Sequence, residues 1–306
     1  MTALTEGSTA KLWLAAIKPP MYSVAIMPIW LGTAAASSQT HTLNWEIFLT
    51  FLSSAILILA WENLLNDVFD SETGIDQNKP HSLVNLTGNK SLIFALGNLC
   101  LGVGILGILA ICWWQQDFTV LGLILGCCLL GYFYQGPPFR LGYQGLGEIL
   151  CFFAFGPLGV AAAIYSQTHS HSQSWSGLSL AIGSFLGVTT SLILFCSHFH
   201  QVADDLAAGK RSPIVRLGTE RAAQLLPWAC GGAFGLIALL VGLQLFPVWA
   251  LLSFAGLPFG IHLCRHVSQT HDQPEQVRNC KFIAISLHFW SGLLLGVGLV
   301  LGSLQG

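Results

Sequence analysis

Two stretches of this chain carry acids and amides at spacings that gather hard oxygen donors on one side of a helix. The first is Asn63-Leu-Leu-Asn-Asp67-Val-Phe-Asp70, followed by Ser-Glu72-Thr-Gly74-Ile-Asp76. On a helix Asn63, Asp67 and Asp70 fall at i, i+4 and i+7 and share a face. Two carboxylates and an amide oxygen suit Mg²⁺ held jointly with substrate phosphates. Glu72 and Asp76 lie just beyond, where Gly74 is expected to end the helix, and are read as solvated or supporting groups. The second stretch is Ser197-His198-Phe-His200-Gln201-Val-Ala-Asp204-Asp205, closed by Gly209-Lys210-Arg211. On a regular helix His198, Gln201 and Asp205 share a face at i, i+3 and i+7, while Asp204 points about 100° away from Asp205. Gln201 and Asp205 are therefore the expected second metal site.

A third stretch, Tyr132-Phe-Tyr134-Gln-Gly-Pro137-Pro138-Phe-Arg140-Leu-Gly-Tyr143, breaks helix with Gly and Pro. Arg140 is a candidate bidentate phosphate clamp, and Tyr134 a candidate aromatic face for a developing cation. The plainer account makes all these acids interfacial charges paired with Lys79, Lys210 and Arg211. Against it, two separate helices carry amide-plus-acid faces, and ionisable groups within a membrane are functional by default.

The elements that position these residues follow from composition. Of 306 residues 53% are hydrophobic and only 8% charged, with net charge −2, and the mean hydropathy is +0.66. Soluble domains carry about a quarter charged residues, so this is an all-α polytopic membrane protein, read as a single domain over 1–306. At about 20 apolar residues per crossing, nine spans are expected: 20–37, 47–66, 91–113, 119–135, 147–165, 177–199, 223–243, 248–266 and 282–302. They form a bundle around a central cavity. This count puts all twelve Lys and Arg on one side, which the positive-inside rule makes cytoplasmic, together with the N-terminus and both acid motifs. The first apolar run, which also resembles a signal peptide, is read as a retained helix. The nine cysteines lack metal-ligand spacing and are read as small buried hydrophobes. Thr168-His-Ser-His-Ser is read as polar linker rather than a metal site. Glycines four apart (122/126, 183/187, 231/235, 256/260, 292/296) are expected to line seams between helices. Nothing in composition or charge calls for a nucleic-acid partner.

Taken together, the two acid motifs and the Tyr-Gln-Gly-Pro-Pro-Phe-Arg loop resemble the UbiA superfamily of intramembrane aromatic prenyltransferases, over most of the chain. The pattern Asn63-x-x-Asn-Asp67-x-x-Asp70-x-x-x-Gly74-x-Asp76 is similar to the MenA branch, the naphthoate prenyltransferases. So are the runs Asn78-Lys79-Pro80-His-Ser-Leu-Val-Asn85 and Gly209-Lys210-Arg211-Ser-Pro-Ile-Val-Arg216-Leu-Gly218. The Arg-Pro-[Leu/Ile]-x-x-Gly stretch of sister branches is absent. Gln201 stands where the family's Asp-x-x-x-Asp motif begins, which leaves the second metal site one anionic ligand fewer. The version His-Phe-His-Gln-x-x-Asp-Asp is similar to cyanobacterial and plastid phytyl-transferring members.

This resemblance implies transfer of a phytyl group from its diphosphate to 1,4-dihydroxy-2-naphthoate, or 2-carboxy-1,4-naphthoquinone, with decarboxylation, in phylloquinone synthesis. It implies Mg²⁺ held by Asn63, Asp67 and Asp70 and by Gln201 and Asp205. Lys79, Arg140 and Lys210 become diphosphate clamps, with Asn63 and Tyr134 also lining the donor site. His198 or His200 is a candidate acceptor for the phenolic proton; His200 joins Asp67, Asp70, Asp205 and Arg140 as the expected catalytic set. The host is a plasma or thylakoid membrane, with the site open to the cytoplasm. The alternatives are a family member using a longer donor (menaquinone) or another aromatic acceptor, and a secondary transporter. Transporter sites lie near the bilayer midplane between internal repeats; these acids lie at one face, and no repeat is found.

Overall fold

The computed structural model describes residues 6–75 and 82–304, and every regular element among them is helical. In chain order these are α1 (Glu6–Ile17), α2 (Ser23–Thr40), α3 (Trp45–Thr73), α4 (Leu83–Thr87), α5 (Lys90–Gln115), α6 (Thr119–Gln135), α7 (Gly147–Phe153), α8 (Gly159–Thr168) and α9 (His171–Ser174). Then follow α10 (Gly177–Ser197), α11 (Val202–Ala207), α12 (Pro213–Leu217), α13 (Thr219–Gly242), α14 (Leu257–Thr270), α15 (Pro274–Val277) and α16 (Cys280–Ser303). Eight helical stretches among the described residues are long and apolar enough to cross a membrane. They coincide with eight of the nine spans read from hydropathy. The remaining one, α6, has 17 residues and is about 26 Å long, somewhat short of a bilayer's apolar core of about 30 Å.

Local chemistry sets the ends of the acid-bearing helix. Asn44 caps α3, its side chain accepting from Ile47 N at 3.1 Å, which satisfies a backbone donor the first turn cannot. At the other end Gly74 adopts φ 79°, the left-handed stop that glycine makes without strain. In between α3 runs unbroken for 29 residues, so Asn63, Asp67 and Asp70 do share a face. The His169–His171 tract is not plain linker: it starts α9, and the His171 ring lies 4.8 Å from that of Tyr165.

The stretch from α7 to α8 is kinked. A π-type turn joins the two over Ala154–Leu158, with Gly156 at φ −97°, ψ −107° and Pro157 inside it. Proline offers no N–H and crowds the preceding turn, so the helix must yield there. Helix α10 crosses against this kink. A Cβ at Gly183 would stand 2.8 Å from Pro157 Cα, and one at Gly187 would stand 2.8 Å from Phe152 O. Glycine lets the two backbones touch, and that contact brings the start of α7 beside the end of α10.

The glycine pairs read from spacing divide into two kinds. Gly183/Gly187 sit in the seam just described, and Gly256, Gly292 and Gly296 press on Ser291, Met27 and Trp30 respectively. Gly122/Gly126 and Gly231/Gly235 face open space, with nothing within 4 Å. Those two pairs line no seam inside the bundle, because equal spacing fixes a face and not its neighbour. A Gly183→Ala protein should therefore unfold in detergent with a loss of roughly 1–3 kcal/mol. Gly231→Ala should stay within about 0.5 kcal/mol of the parent. Thermal melts of both variants check this; equal melting temperatures would contradict it.

Candidate active site

Asp67 is fully buried. Lys18 Nζ lies 3.3 Å from its Oδ1, and the backbone N–H of Leu83 donates to Oδ2 at 2.8 Å. Lys18 has the left-handed conformation (φ 54°) in the break between α1 and the 3₁₀ turn Pro19–Tyr22. Sequence reading placed Lys18 among the basic residues of one face but gave it no part in the site. The only hint was a lysine immediately before two prolines at the mouth of a span. One helical turn along α3, Asp70 Oδ1 accepts from Tyr143 OH at 3.2 Å, and the same hydroxyl lies 2.6 Å from Thr73 Oγ1. Burial, then the Asp70 carboxylate, push the Tyr143 phenol up, so it remains a donor at neutral pH. Asn63 is half-buried on the same face, and its Nδ2 is buried without a hydrogen-bond partner.

The second motif is not one regular helix, and here the reading from spacing needs correction. Helix α10 ends at Ser197, and the chain tightens into i→i−3 bonds: His198 N→Phe195 O at 3.2 Å and Gln201 N→His198 O at 3.1 Å. It then restarts as α11. Seven residues of straight helix would separate His198 from Asp205 by about 10 Å along the axis. Instead His198 Nδ1 meets Asp205 Oδ2 at 3.0 Å. The bend folds Asp205 back under α10, and Gln201 stands at the corner, half-buried, making no side-chain bond to cap α11. His198 therefore reaches Asp205 through the bend rather than along one straight helix face, while Gln201 and Asp205 stay one turn apart, Asp205 N donating to Gln201 O at 2.8 Å.

Asp205 is fully buried, and Lys210 Nζ is 3.6 Å from its Oδ1. Burial raises the Asp205 carboxyl, but the His198 hydrogen bond and the Lys210 charge outweigh it and hold the group below its ordinary value. Burial and Lys210 also lower His198. The ring spans two carboxyl groups, with Nδ1 against Asp205 Oδ2 and Nε2 facing Glu148 Oε1 at 3.7 Å. Both Glu148 oxygens are buried without a hydrogen-bond partner. Glu148 was missed in the sequence because its partners come from a helix some fifty residues later.

The two motifs meet through the loop between α6 and α7. Lys210 Nζ sits 5.7 Å from the centre of the Tyr143 ring, a cation–π distance, and Arg211 N donates to Tyr143 O at 2.8 Å. A continuous chain of contacts therefore runs Asp70–Tyr143–Lys210–Asp205. Tyr134 lies within electrostatic reach of Asp70, Glu148 and Asp205, and Gly147 leaves its ring room: a Cβ there would stand 2.7 Å from Tyr134 Cε2. At the rim Arg140 pairs with Glu72 at 3.1 Å, and Lys90 joins the same carboxylate at 2.6 Å. Lys79 and Asp76 lie outside the described residues. His200 faces another quarter: burial first, then Lys281 and Arg278, lower it to about 4, which leaves a neutral, weakly basic ring.

Among the described residues no three His, Cys, Asp or Glu groups converge closely enough to hold an ion alone. Mg²⁺, however, is commonly held by one or two carboxylates together with substrate phosphates. The donors here fit that demand: they are hard oxygens, and Asp205 Oδ1 and both Glu148 oxygens are buried with no hydrogen bond.

Three comparisons bear on this arrangement. The sequence model of the UbiA prenyltransferase family matches residues 25–302. The 2-carboxy-1,4-naphthoquinone phytyltransferase of Synechocystis sp. is 55% identical over 294 residues, covering 96% of this chain and 94% of that protein. The chloroplastic protein of the same name from Arabidopsis thaliana is 40% identical over 300 residues, covering 97% and 78%. A solved UbiA homolog from Archaeoglobus fulgidus bound to DMAPP and Mg²⁺ shares the fold, with TM-score 0.57 at 14% identity, covering 93% of this chain and 99% of that one.

The lowered His200 gives a pH signature. Its ordinary value is 6.5 and its folded value about 4, so the unfolded chain binds the extra proton between them. Its contribution to stability is full above pH 6.5 and is lost as pH falls through 6.5 toward 4. Unfolding midpoints in detergent should decline across that window, and His200→Gln should flatten the decline; an unchanged slope would remove His200 as a cause.

Proposed function

Because the chain belongs to the UbiA prenyltransferase family, we propose that it transfers a phytyl group from its diphosphate to 1,4-dihydroxy-2-naphthoate with loss of CO₂, in phylloquinone biosynthesis. Within the family it groups with the MenA-type branch of cyanobacteria and plastids. The observation that carries the reading is the contact chain Asp70–Tyr143–Lys210–Asp205, which joins two acid motifs from helices distant in sequence into one polar floor.

In this reading the diphosphate lies on that floor. Asn63, Asp67 and Asp70 would hold one Mg²⁺, and Asp205, with Gln201 at the corner, a second. When bound, the ions neutralise charge on the departing diphosphate. Lys18, partly buried, and Lys210, buried, already stand beside the acids and turn their ammonium groups to the phosphate oxygens. Arg140 and Lys79 close over them from the rim. Fixed cations of this kind act where charge develops and need little reorganisation. Tyr134 presents its aromatic face to the allylic carbon as the C–O bond breaks and its electron pair goes to the diphosphate.

The ring carbon bearing the acceptor's carboxylate then forms the new C–C bond. Its bond to the carboxylate breaks, CO₂ leaves, and that electron pair restores the aromatic ring. The step needs no net proton acceptor, which agrees with a weakly basic His200. Apolar helix walls keep water from the allylic cation. The site opens to the cytoplasm in this account, where the positive-inside rule puts the basic loops.

Asp67→Ala and Asp205→Ala should each lower phytyl transfer by at least about 10²-fold while the protein still inserts in membranes. Product formation from phytyl diphosphate and 1,4-dihydroxy-2-naphthoate in washed membranes measures this; near-normal turnover at saturating Mg²⁺ would remove the metal assignment.

A further inference from the structure

A carboxyl group stands inside the bundle with no role in the polar floor. Glu62 lies on α3 in a stripe with Asn66 and Asp70 (i, i+4, i+8), about 7.5 Å deeper than Asp67 along the helix axis. It lines a cavity bounded by α2, α3, α6 and the α7–α8 kink, whose walls include Ile58, Leu59, Ile124 and Phe155. Among the described residues Glu62 is the only charged side chain lining it, and no hydrogen bond or basic group reaches its carboxyl.

The surroundings hold this group in place rather than satisfy it. Gln135 Nε2 donates to the Glu62 backbone carbonyl at 3.0 Å, and the Gln135 side chain also bonds Asn66. Across the gap Gly131 leaves the carboxyl its space: a Cβ there would run into Glu62 Oε1. A larger residue on α6 would push the carboxyl out of the cavity. An unpartnered carboxyl among apolar walls is costly, and within a membrane such a group marks a binding or transport path.

We propose that Glu62 holds the aromatic acceptor by accepting a hydrogen bond from a ring hydroxyl. This rests on the prenyl-transfer reading above and deepens it. Of the two substrates only the dihydroxylated ring brings a donor to this depth; the hydrocarbon tail has none and would leave the carboxyl uncompensated. The hydroquinone form is also the electron-rich one that can attack a cation. Glu62 thus selects the acceptor and its redox state, while the motif aspartates serve the donor.

The test uses the full chain in lipid nanodiscs, with phytyl diphosphate and 1,4-dihydroxy-2-naphthoate. Glu62→Leu should raise the acceptor KM about 10- to 100-fold. The donor KM should stay within about twofold. Glu62→Gln keeps an acceptor oxygen and should show a smaller rise. Gly131→Val, which displaces the carboxyl without removing it, should reproduce the acceptor-selective defect. An unchanged acceptor KM in Glu62→Leu, or a donor KM rising equally, overturns the assignment. Should Glu62→Leu lose all turnover, retained Mg²⁺-dependent binding of phytyl diphosphate with lost naphthoate binding supports it, and loss of both overturns it. Failure of the unaltered protein to prenylate any aromatic acceptor would sink the underlying reading instead.

Discussion

Carboxylates removed from water must be met by cations or donors, and the acidic end of this bundle is organised by that requirement. Asp67 and Asp205 are both fully buried. Lys18, with the Leu83 amide, answers the first; Lys210 and His198 answer the second. Breaking a buried pair of this kind costs about 3–5 kcal/mol, because it strands the remaining charge. Such pairs therefore fix where the connecting segments lie. Lys18 ties the break after α1 across the end of α3, and Lys210 ties the segment after α11 to the loop carrying Tyr143. The loops over the site are held by the acids they cover.

The same pairing suits a site that must receive a highly charged substrate. In the proposed reaction the lysines are already aimed at anions, so an arriving diphosphate exchanges one set of oxygens for another. A bare acidic hollow would instead repel the donor. The His198 hydrogen bond and the Lys210 charge outweigh desolvation at buried Asp205 and hold its carboxyl below the ordinary value, which suits the oxygen-ligand role proposed for it. Glu148, facing His198 Nε2, extends the same network.

Backbone geometry brings these parts together. The kink at Pro157 and the close crossing of α10 at Gly183 and Gly187 put the start of α7 against the end of α10. Ser191 Oγ donating to the Glu148 carbonyl at 2.8 Å fastens that seam. π-type turns recur at functional sites because they re-aim a helix without ending it. Here the turn lets Glu148 point at the second motif while α8 continues through the bundle.

Much of this protein was legible in its sequence. Hydropathy depends only on which residues follow one another, and it located most of the apolar helices to within a few residues, although α3 runs seven residues past the expected end at 66, to Thr73. The Asn63–Asp67–Asp70 face was legible because α3 is regular from Asn44 to Gly74. The way His198 reaches Asp205 was not legible, because the chain abandons regular helix at Ser197 and the turn contains no Gly or Pro to announce it. Lys18, Tyr143, Glu148 and Glu62 carry no signal of their own, since their importance comes from partners up to 73 residues away or, for Glu62, from having none. The glycines make the point most plainly: 122/126 and 183/187 share one spacing, yet only the second pair meets another backbone. Order along the chain determines what each helix presents, but burial, ion pairing and the meeting of the two motifs depend on which helix lies opposite, and only packing in three dimensions decides that.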